Sequence, residues 1–535
     1  MPLKKGLTIL TVVIVLISSI TSVYFLFNIF LGVHFSLDSY SIEDYEGFPS
    51  IEYDYSSSDY VEVKMFDPQN NLIDSDYFFS SKGTKNINFG NYKQTISSGK
   101  YNLKAYTVEG DQIFSKSFTF DGPNLVTQSC QQKWWIKGDE TILIGLTFYV
   151  YNSGDAPIYP YSVDVITDEE NFSGLVLPST IDSGEAKTID CSVYKEGEPQ
   201  SSSFTVNIKD IDGGLISTNT FDFDIKNSVE TKYFAEGLPI KISVPYPEFL
   251  FDYYSNLERI TDNDYSYYVF DPYDDLYLDI FINRMISGGV FGELSFNSKS
   301  NTEKVNFIGK FVQYLEYKED IATEETNEYA NYPIETLFNR DIGCDCEDKS
   351  ILAASFLDNL GFEVALIRLP NHMSVGVKLG EDEVPKYEYY RDDYYYLETT
   401  NEESPIGFVP SQYRSLLSES EIYEISDRPY LSHIWINNVL TIYTKTELGN
   451  FVKVEAVVEN YGRANAENII VEGVFVTTYG IELNSETISI ASLDSGKKKK
   501  ITFSVDIPSV SSTFESRLLY DGNVINIRES SEAFT

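Results

Sequence analysis

The chain has 535 residues and a formal net charge of −42, from 82 Asp plus Glu against 40 Lys plus Arg. A surface this acidic repels nucleic acid and anionic lipid headgroups, and no basic stripe interleaved with aromatics offsets it, so nucleic-acid binding is excluded. Aromatic residues make up 15%, with 41 Tyr and 35 Phe, enough apolar material to build cores; the charge therefore does not signal disorder, and the length suits three or four domains.

Lys4 and Lys5 precede an uncharged, mainly apolar run from Gly6 to Val33, long enough to cross a bilayer core about 30 Å thick. Neither the shorter apolar core nor the small-residue cleavage site of a removed signal is evident, so residues 1–34 are expected to be a retained membrane anchor helix. The lysines before the run predict a cytoplasmic N-terminus, with the bulk of the chain outside the cell. In that compartment thiols oxidise, which makes each of the four cysteines worth following.

From 35 to 122 short alternating runs are broken by turns. Asp59-Tyr-Val-Glu-Val-Lys-Met-Phe66 puts Val61, Val63 and Met65 on one face ahead of the turn Asp67-Pro-Gln-Asn-Asn71. This reads as a small β-sandwich. It contains neither Cys nor His and is assigned no chemistry.

Two further β-rich units, 123–226 and 428–535, read as internal relatives. Asn152-Ser-Gly154 matches Asn460-Tyr-Gly462, and Ile181-Asp-Ser-Gly184 matches Leu493-Asp-Ser-Gly496. Their glycines are expected to supply positive φ in tight turns. Both units resemble the immunoglobulin-like, CARDB-like adhesion modules of prokaryotic cell surfaces. Cys191 aligns with Phe503 and alternates inward with Ile189 and Val193, so it is either a buried thiol or a disulfide partner of Cys130. Asn171-Phe-Ser is a glycosylation sequon, and Lys497 to Lys500 reads as a solvated hairpin tip.

Between 227 and 427 the period changes. Asp271 to Met285 is predicted to be a helix entered at Asp271-Pro272. Asn301 to Leu315 is predicted to be another, with Val305, Ile308, Phe311, Val312 and Leu315 inward. After an acidic stretch from Glu319 to Glu328 comes Tyr332-Pro-Ile-Glu-Thr-Leu337, then Gly343-Cys-Asp-Cys-Glu-Asp348. Cys346 opens a predicted helix that stops at Gly361, and three strand-like runs follow, 362–369, 372–379 and 394–399. His372 lies 26 residues after Cys346, and Glu398 lies 26 after His372. A thiol at a helix start, a His opening one strand and an acid closing another are the parts of a cysteine nucleophile, its base and the base's orienter.

These motifs resemble those of the transglutaminase-like superfamily, whose papain-related fold carries Cys, His and Asp in that order. The resemblance is closest to a bacterial and archaeal membrane-anchored branch with an Asp-Cys-Glu-Asp motif behind a Tyr-Pro-x-Glu-Thr-Leu element. It implies an α+β domain in which Cys346 is the nucleophile, His372 the base and Glu398 the third member, where Asp is more usual. It implies no cofactor and no metal site.

The expected architecture is multidomain: a transmembrane helix, then β-sandwich modules flanking the α+β transglutaminase-like domain. The chemistry expected is attack of Cys346 on a carboxamide or peptide carbonyl of a cell-surface protein or peptide, with peptidase or amidase activity favoured over crosslinking. The other reading is a non-catalytic adhesin or envelope scaffold. Cys344 competes with Cys346 as nucleophile, and zinc held by Cys344, Cys346 and His372 is a further rival. For the thiol, the helix start and a nearby imidazolium favour the thiolate, whereas Asp345, Glu347 and Asp348 oppose it.

Overall fold

The computed structural model describes residues 33–534 apart from 79–80, 258, 260–263, 289–291, 319–328, 340–343, 381–382, 388, 426, 437–439 and 447–448. The expected anchor helix and the acidic stretch 319–328 therefore lie outside the described residues. Among the described residues no helix is long and apolar enough to cross a membrane. These residues are mostly β-sheet, in several separate sheets.

Internal contacts divide the chain into two units. The first runs to Pro123 and takes in Gly154–Ile158 and Asp182–Gly184. Its strands form a three-stranded sheet (Phe35–Tyr45, Phe48–Ser57, Ser81–Asn88) and a four-stranded one (Leu72–Phe78, Val61–Phe66, Gly99–Tyr106, Gln112–Phe120). Val61, Val63 and Met65 are fully buried while Glu62 and Lys64 face outward, so the alternation read from the sequence selects the core face.

The second unit holds the remaining described residues. Its first part is one seven-stranded sheet running from Leu215–Asp222 at one edge to Leu125–Lys137 at the other. Two separate sheets were expected here; instead the sheet curls until its edges meet. Gln132 Nε2 donates to the Asp222 carbonyl at 2.9 Å, and Asn219 Nδ2 donates to Thr127 Oγ1 at 3.1 Å. Strands as long as Glu140–Asn152 and Leu125–Lys137, with register shifts between them, carry the twist that brings the edges together.

The C-terminal part forms two four-stranded sheets around a core that includes Val454, Val471, Phe475 and Phe514. Its kinship with the seven-stranded part shows in its hydrogen bonds. Asn152 Nδ2 donates to the Ile181 carbonyl, and Asn460 Nδ2 to the Leu493 carbonyl. Asn152 N–H donates to Glu185 O, and Asn460 N–H to Lys497 O. Ser183 Oγ donates to Gly154 O, and Ser495 Oγ to Gly462 O. Gly184 and Gly496 have φ of 77° and 71°, as expected for tight turns, whereas Gly154 and Gly462 do not take the positive φ expected of them. Gly462 is small for another reason: a Cβ there would meet Tyr430 N at 2.3 Å and Arg428 O at 2.4 Å.

Cys130 and Cys191 are free thiols. Cys130 pairs with Phe148 and Cys191 with Leu146, on opposite sides of the same strand, Glu140–Asn152. That intervening strand holds them about 10 Å apart, beyond the reach of an S–S bond. Burial pushes the Cys130 thiol up to about 12 and the Cys191 thiol well above its ordinary value.

Between these parts come the helices, followed by a five-stranded antiparallel sheet in the order Tyr390–Arg391, Tyr394–Leu397, His372–Val377, Val364–Leu369, Glu421–Ile425. The helix expected from Asp271 starts later, at Asp275–Gly288. The Asp271 carboxylate accepts from Tyr273 N–H in a turn around Pro272, and the first helical bonds run from Tyr277 and Leu278 N–H to Asp274 O. Asn301–Gln313 starts where expected, at a Ser300/Glu303 capping box. One hydrophobic core joins these helices to the seven-stranded sheet, Trp135, Ile142 and Ile144 packing with Phe249, Leu250 and Phe281.

Candidate active site

Helix Cys346–Asn359 is the structural centre of this part. Ile351, Leu352, Ala353, Ala354, Phe356 and Leu357 are all 0% exposed, so it is a core helix covered on every side. Several polar groups buried with it are hydrogen-bonded. The Asp348 carboxylate accepts from Asn331 N–H and Asn331 Nδ2, both at 2.7 Å, and from Asp345 N–H at 3.2 Å. Lys349 Nζ donates to the carbonyls of Gln313 and Leu315, just where helix Asn301–Gln313 ends and cationic charge is favourable. The Ser350 hydroxyl lies 3.0 Å from that of Thr399.

The Tyr332 motif is part of the same construction. Asn331 is bonded to Asp348, and the Glu335 carboxylate accepts from Tyr332 N–H at 3.0 Å and from Arg259 Nη2 at 2.6 Å. Asn331, just ahead of this motif, thus braces the start of the helix that carries Cys346.

His372 is the first residue of strand His372–Val377, entered through a two-residue turn from Leu369 in which Asn371 takes φ 58°. Its Nε2 lies 3.2 Å from Glu398 Oε2, with both side chains buried. Glu398 follows strand Tyr394–Leu397 directly and also accepts from Tyr396 Oη at 2.9 Å, Thr400 N–H at 2.9 Å and Thr400 Oγ1 at 2.6 Å. Burial alone would raise this carboxyl, but the bond to His372, its charge and the two Thr400 bonds together hold it at about 2. An ionised carboxylate only accepts, so Nε2 carries the proton and Nδ1 is the nitrogen left for other chemistry.

The backbone N–H of Met373, the residue after His372, lies near enough to the Cys346 sulfur to favour its thiolate slightly. The ladder to strand Tyr394–Leu397 runs only from Val375 to Val377, so Met373 lies beyond its end. The thiol donates to Glu347 Oε2 at 3.2 Å. Burial, then the charges of Glu347 and Asp345, push it well above the ordinary thiol range, and burial also raises Glu347. In the resting site burial and the acidic neighbours together outweigh what favours the thiolate.

Cys344 is placed differently. Its thiol donates to the Glu316 carbonyl at 3.4 Å, its own carbonyl accepts from Lys318 N–H, and burial pushes it up to about 12. It borders a cavity of about 210 Å³ lined also by Glu236, Tyr314 and Thr336. The zinc trio of Cys344, Cys346 and His372 is not gathered: among the described residues, the group whose ligand atoms lie within 4.8 Å of one another is Asp345, Cys346 and Glu347.

Several groups here have no sequence signature. They include the Met373 N–H, the Tyr396 and Thr400 donors to Glu398, and Tyr413, whose ring lies flat on the imidazole with centroids 3.9 Å apart and planes 3° from parallel. The one available clue was the density of Tyr and Thr around Glu398.

No family model matches the chain, and no curated protein matches it. Among solved structures it is similar to red sea bream transglutaminase at 11% identity, covering 72% of this chain and 79% of that one, with a TM-score of 0.15. It is similar to the YadV chaperone at 11% identity, over 36% of this chain and all of that one, with a TM-score of 0.13. It is also similar to an exo-chitosanase of Amycolatopsis orientalis at 9% identity, over 90% and 76%, with a TM-score of 0.15. At TM-scores this low none of these likenesses bears on the fold or the function of the chain.

Proposed function

We propose that the chain is a transglutaminase-like cysteine enzyme that cleaves carboxamide or peptide bonds through a thioester on Cys346. The observation that carries this reading is the buried His372–Glu398 bond, with the residue after His372, Met373, in the neighbourhood of the Cys346 sulfur. His372 Nδ1 takes the thiol proton as sulfur attacks the carbonyl carbon. The tetrahedral oxyanion is received by the Cys346 N–H, which has no intrahelical partner at a helix start. Collapse expels an amine or ammonia, which takes the proton from the imidazole. Water then attacks the thioester with His372 again as base, releasing a carboxylic acid and restoring the thiol. Glu398 holds the imidazole tautomer throughout.

The substrate in this reading is a protein or peptide at the cell surface, reached by an enzyme tethered through the apolar run Gly6 to Val33, with adhesion-type modules on either side of the catalytic part. Protease treatment of intact cells tests the placement: the bulk of the chain should be digested from outside.

A second reading, a surface scaffold without turnover, is favoured by the protonated resting thiol and its bond to Glu347. Labelling with an amide-derived thiol probe separates the two. The enzyme labels at Cys346 and loses most labelling on His372→Ala; the scaffold labels slowly and indifferently to His372.

A further inference from the structure

We infer that Tyr413 is a positioning residue for the His372 imidazole; this rests on the reading of Cys346 as nucleophile. His372 closes a two-residue hairpin, ahead of the point where its strand begins to pair with Tyr394–Leu397. Glu398 restrains the ring at a single atom, Nε2. One in-plane hydrogen bond fixes where that nitrogen sits but leaves the ring free to tilt about the bond, which swings Nδ1 away from any fixed direction. A flat partner removes that freedom. Tyr413 supplies it, with centroids 3.9 Å apart and 3° between the planes.

Tyr413 is itself held firmly. Its N–H donates to Pro410 O, its carbonyl accepts from Leu416 N–H, and the next residue, Arg414, donates through Nε to Val409 O. Its ring packs on a small cluster of Ile367, Leu369, Tyr396, Val409 and Leu417. Val409 and Leu417 flank the turn that carries it, so the segment after Glu398 folds back over the sheet and delivers one ring to one imidazole. After burial, the charges of Glu398 and Cys346 are among the causes that raise the Tyr413 hydroxyl, so the ring lies in the neighbourhood of the proposed site. The hydrogen bond and the stack constrain perpendicular motions, and together they direct Nδ1 along one line.

The test uses the full chain with Tyr413→Phe, Tyr413→Leu and His372→Ala, read by Cys346 acylation with an activated amide probe and by NMR of isotopically labelled histidine, of which the chain has three. Phe keeps the stack and should acylate within about twofold of the parent, whereas Leu should lower the maximal rate by roughly tenfold or more at unchanged half-saturation. The Nε2–H resonance of His372 should persist in the Phe variant and broaden in the Leu variant. In the unmutated chain the carbon-bound protons of His372 should be shifted upfield by the Tyr413 ring current, a measurement that holds even if the Leu variant fails to fold. Equal acylation by the Leu variant with an unbroadened Nε2–H, or an absence of ring-current shift in the parent, overturns the inference and leaves the enzyme reading standing. A parent whose Cys346 is not acylated at all overturns the enzyme reading, and the role given to Tyr413 with it.

Discussion

Asp348 accepts two hydrogen bonds from one residue, Asn331, through the backbone N–H and the side-chain amide, both at 2.7 Å and both buried. Asp348 is the third residue of the helix that begins at Cys346, and it also takes the Asp345 N–H. The position of the nucleophile is therefore set from outside its own helix, by the chain just ahead of Tyr332. Asp348→Ala leaves three buried donors unpaired. A cost of about 3 kcal/mol is expected, measured by denaturant unfolding, together with faster hydrogen exchange at both Asn331 and the first turn of the helix. Asp348→Asn puts an amide NH2 against at least one of these N–H donors, so it should recover little of that loss.

How much of this was legible follows from which contacts are local. The start of the Cys346 helix, the strand opened by His372 and the one that ends just before Glu398, and the inward face of Val61, Val63 and Met65 all follow from periodicity and turn residues, which act over a few positions. The correspondence of Asn152 with Asn460 was also legible, because a side chain that caps a turn must be Asn in both copies. The stack of Tyr413 on His372 joins residues 41 apart through a segment without periodic pattern, and nothing in either residue's surroundings marks the other. The curl of the seven-stranded sheet depends on accumulated twist and shifts of register, which leave no motif. The start of the helix after Pro272 was misplaced because Asp271 and Asp274 are both good caps, and the turn around Pro272 uses the first.

The Glu347 carboxylate sets the resting state of the thiol. It accepts the Cys346 S–H at 3.2 Å, and after burial its charge is the next cause raising the thiol. Glu347→Gln removes that charge at nearly constant volume. Alkylation of Cys346 by iodoacetamide near pH 8 should become several-fold faster, with its pH midpoint shifted downward. An unchanged midpoint means that burial alone holds the proton.

Acid should destabilise the chain in two separable steps. His433 is fully buried, with Nε2 2.7 Å from Ser516 Oγ, and burial lowers its folded pKa from 6.5 to about 4. Between those values the unfolded chain binds the proton more tightly. The stabilisation is thus complete above pH 6.5 and is lost as pH falls toward 4, by about 3 kcal/mol. Denaturant unfolding of the C-terminal part, followed by Trp435 fluorescence, should show this slope, and His433→Gln should flatten it.

The second step belongs to Glu398. Its folded value of about 2 lies below the ordinary 4.5, so its contribution is complete above pH 4.5 and disappears as pH falls toward 2. The size is again about 3 kcal/mol, and it is local to the central sheet. Glu398→Gln should remove this lower step while leaving the His433 step intact. The same substitution should slow Cys346 acylation on the order of a hundredfold, since an amide no longer enforces the proton on Nε2.

The turn shared by the two related parts makes a last prediction about folding alone. Asn460 donates to Ala464 O at 2.8 Å and to Leu493 O at 3.0 Å, and its Oδ1 accepts from Gly462 N–H and Tyr430 N–H. One buried side chain thus ties the chain entering this part, at Tyr430, to two of its turns. Asn460→Ala strands four backbone groups at once, and a loss of roughly 3 kcal/mol is expected. Asn460→Asp keeps the acceptor but turns the two donor contacts into carboxylate facing carbonyl, so it should be no better than Ala. Gly462→Ala should be at least as damaging, because its methyl carbon meets backbone atoms of Arg428 and Tyr430 that cannot rotate away. If either substitution leaves the unfolding midpoint of the C-terminal part unchanged, the shared turn is incidental to its stability.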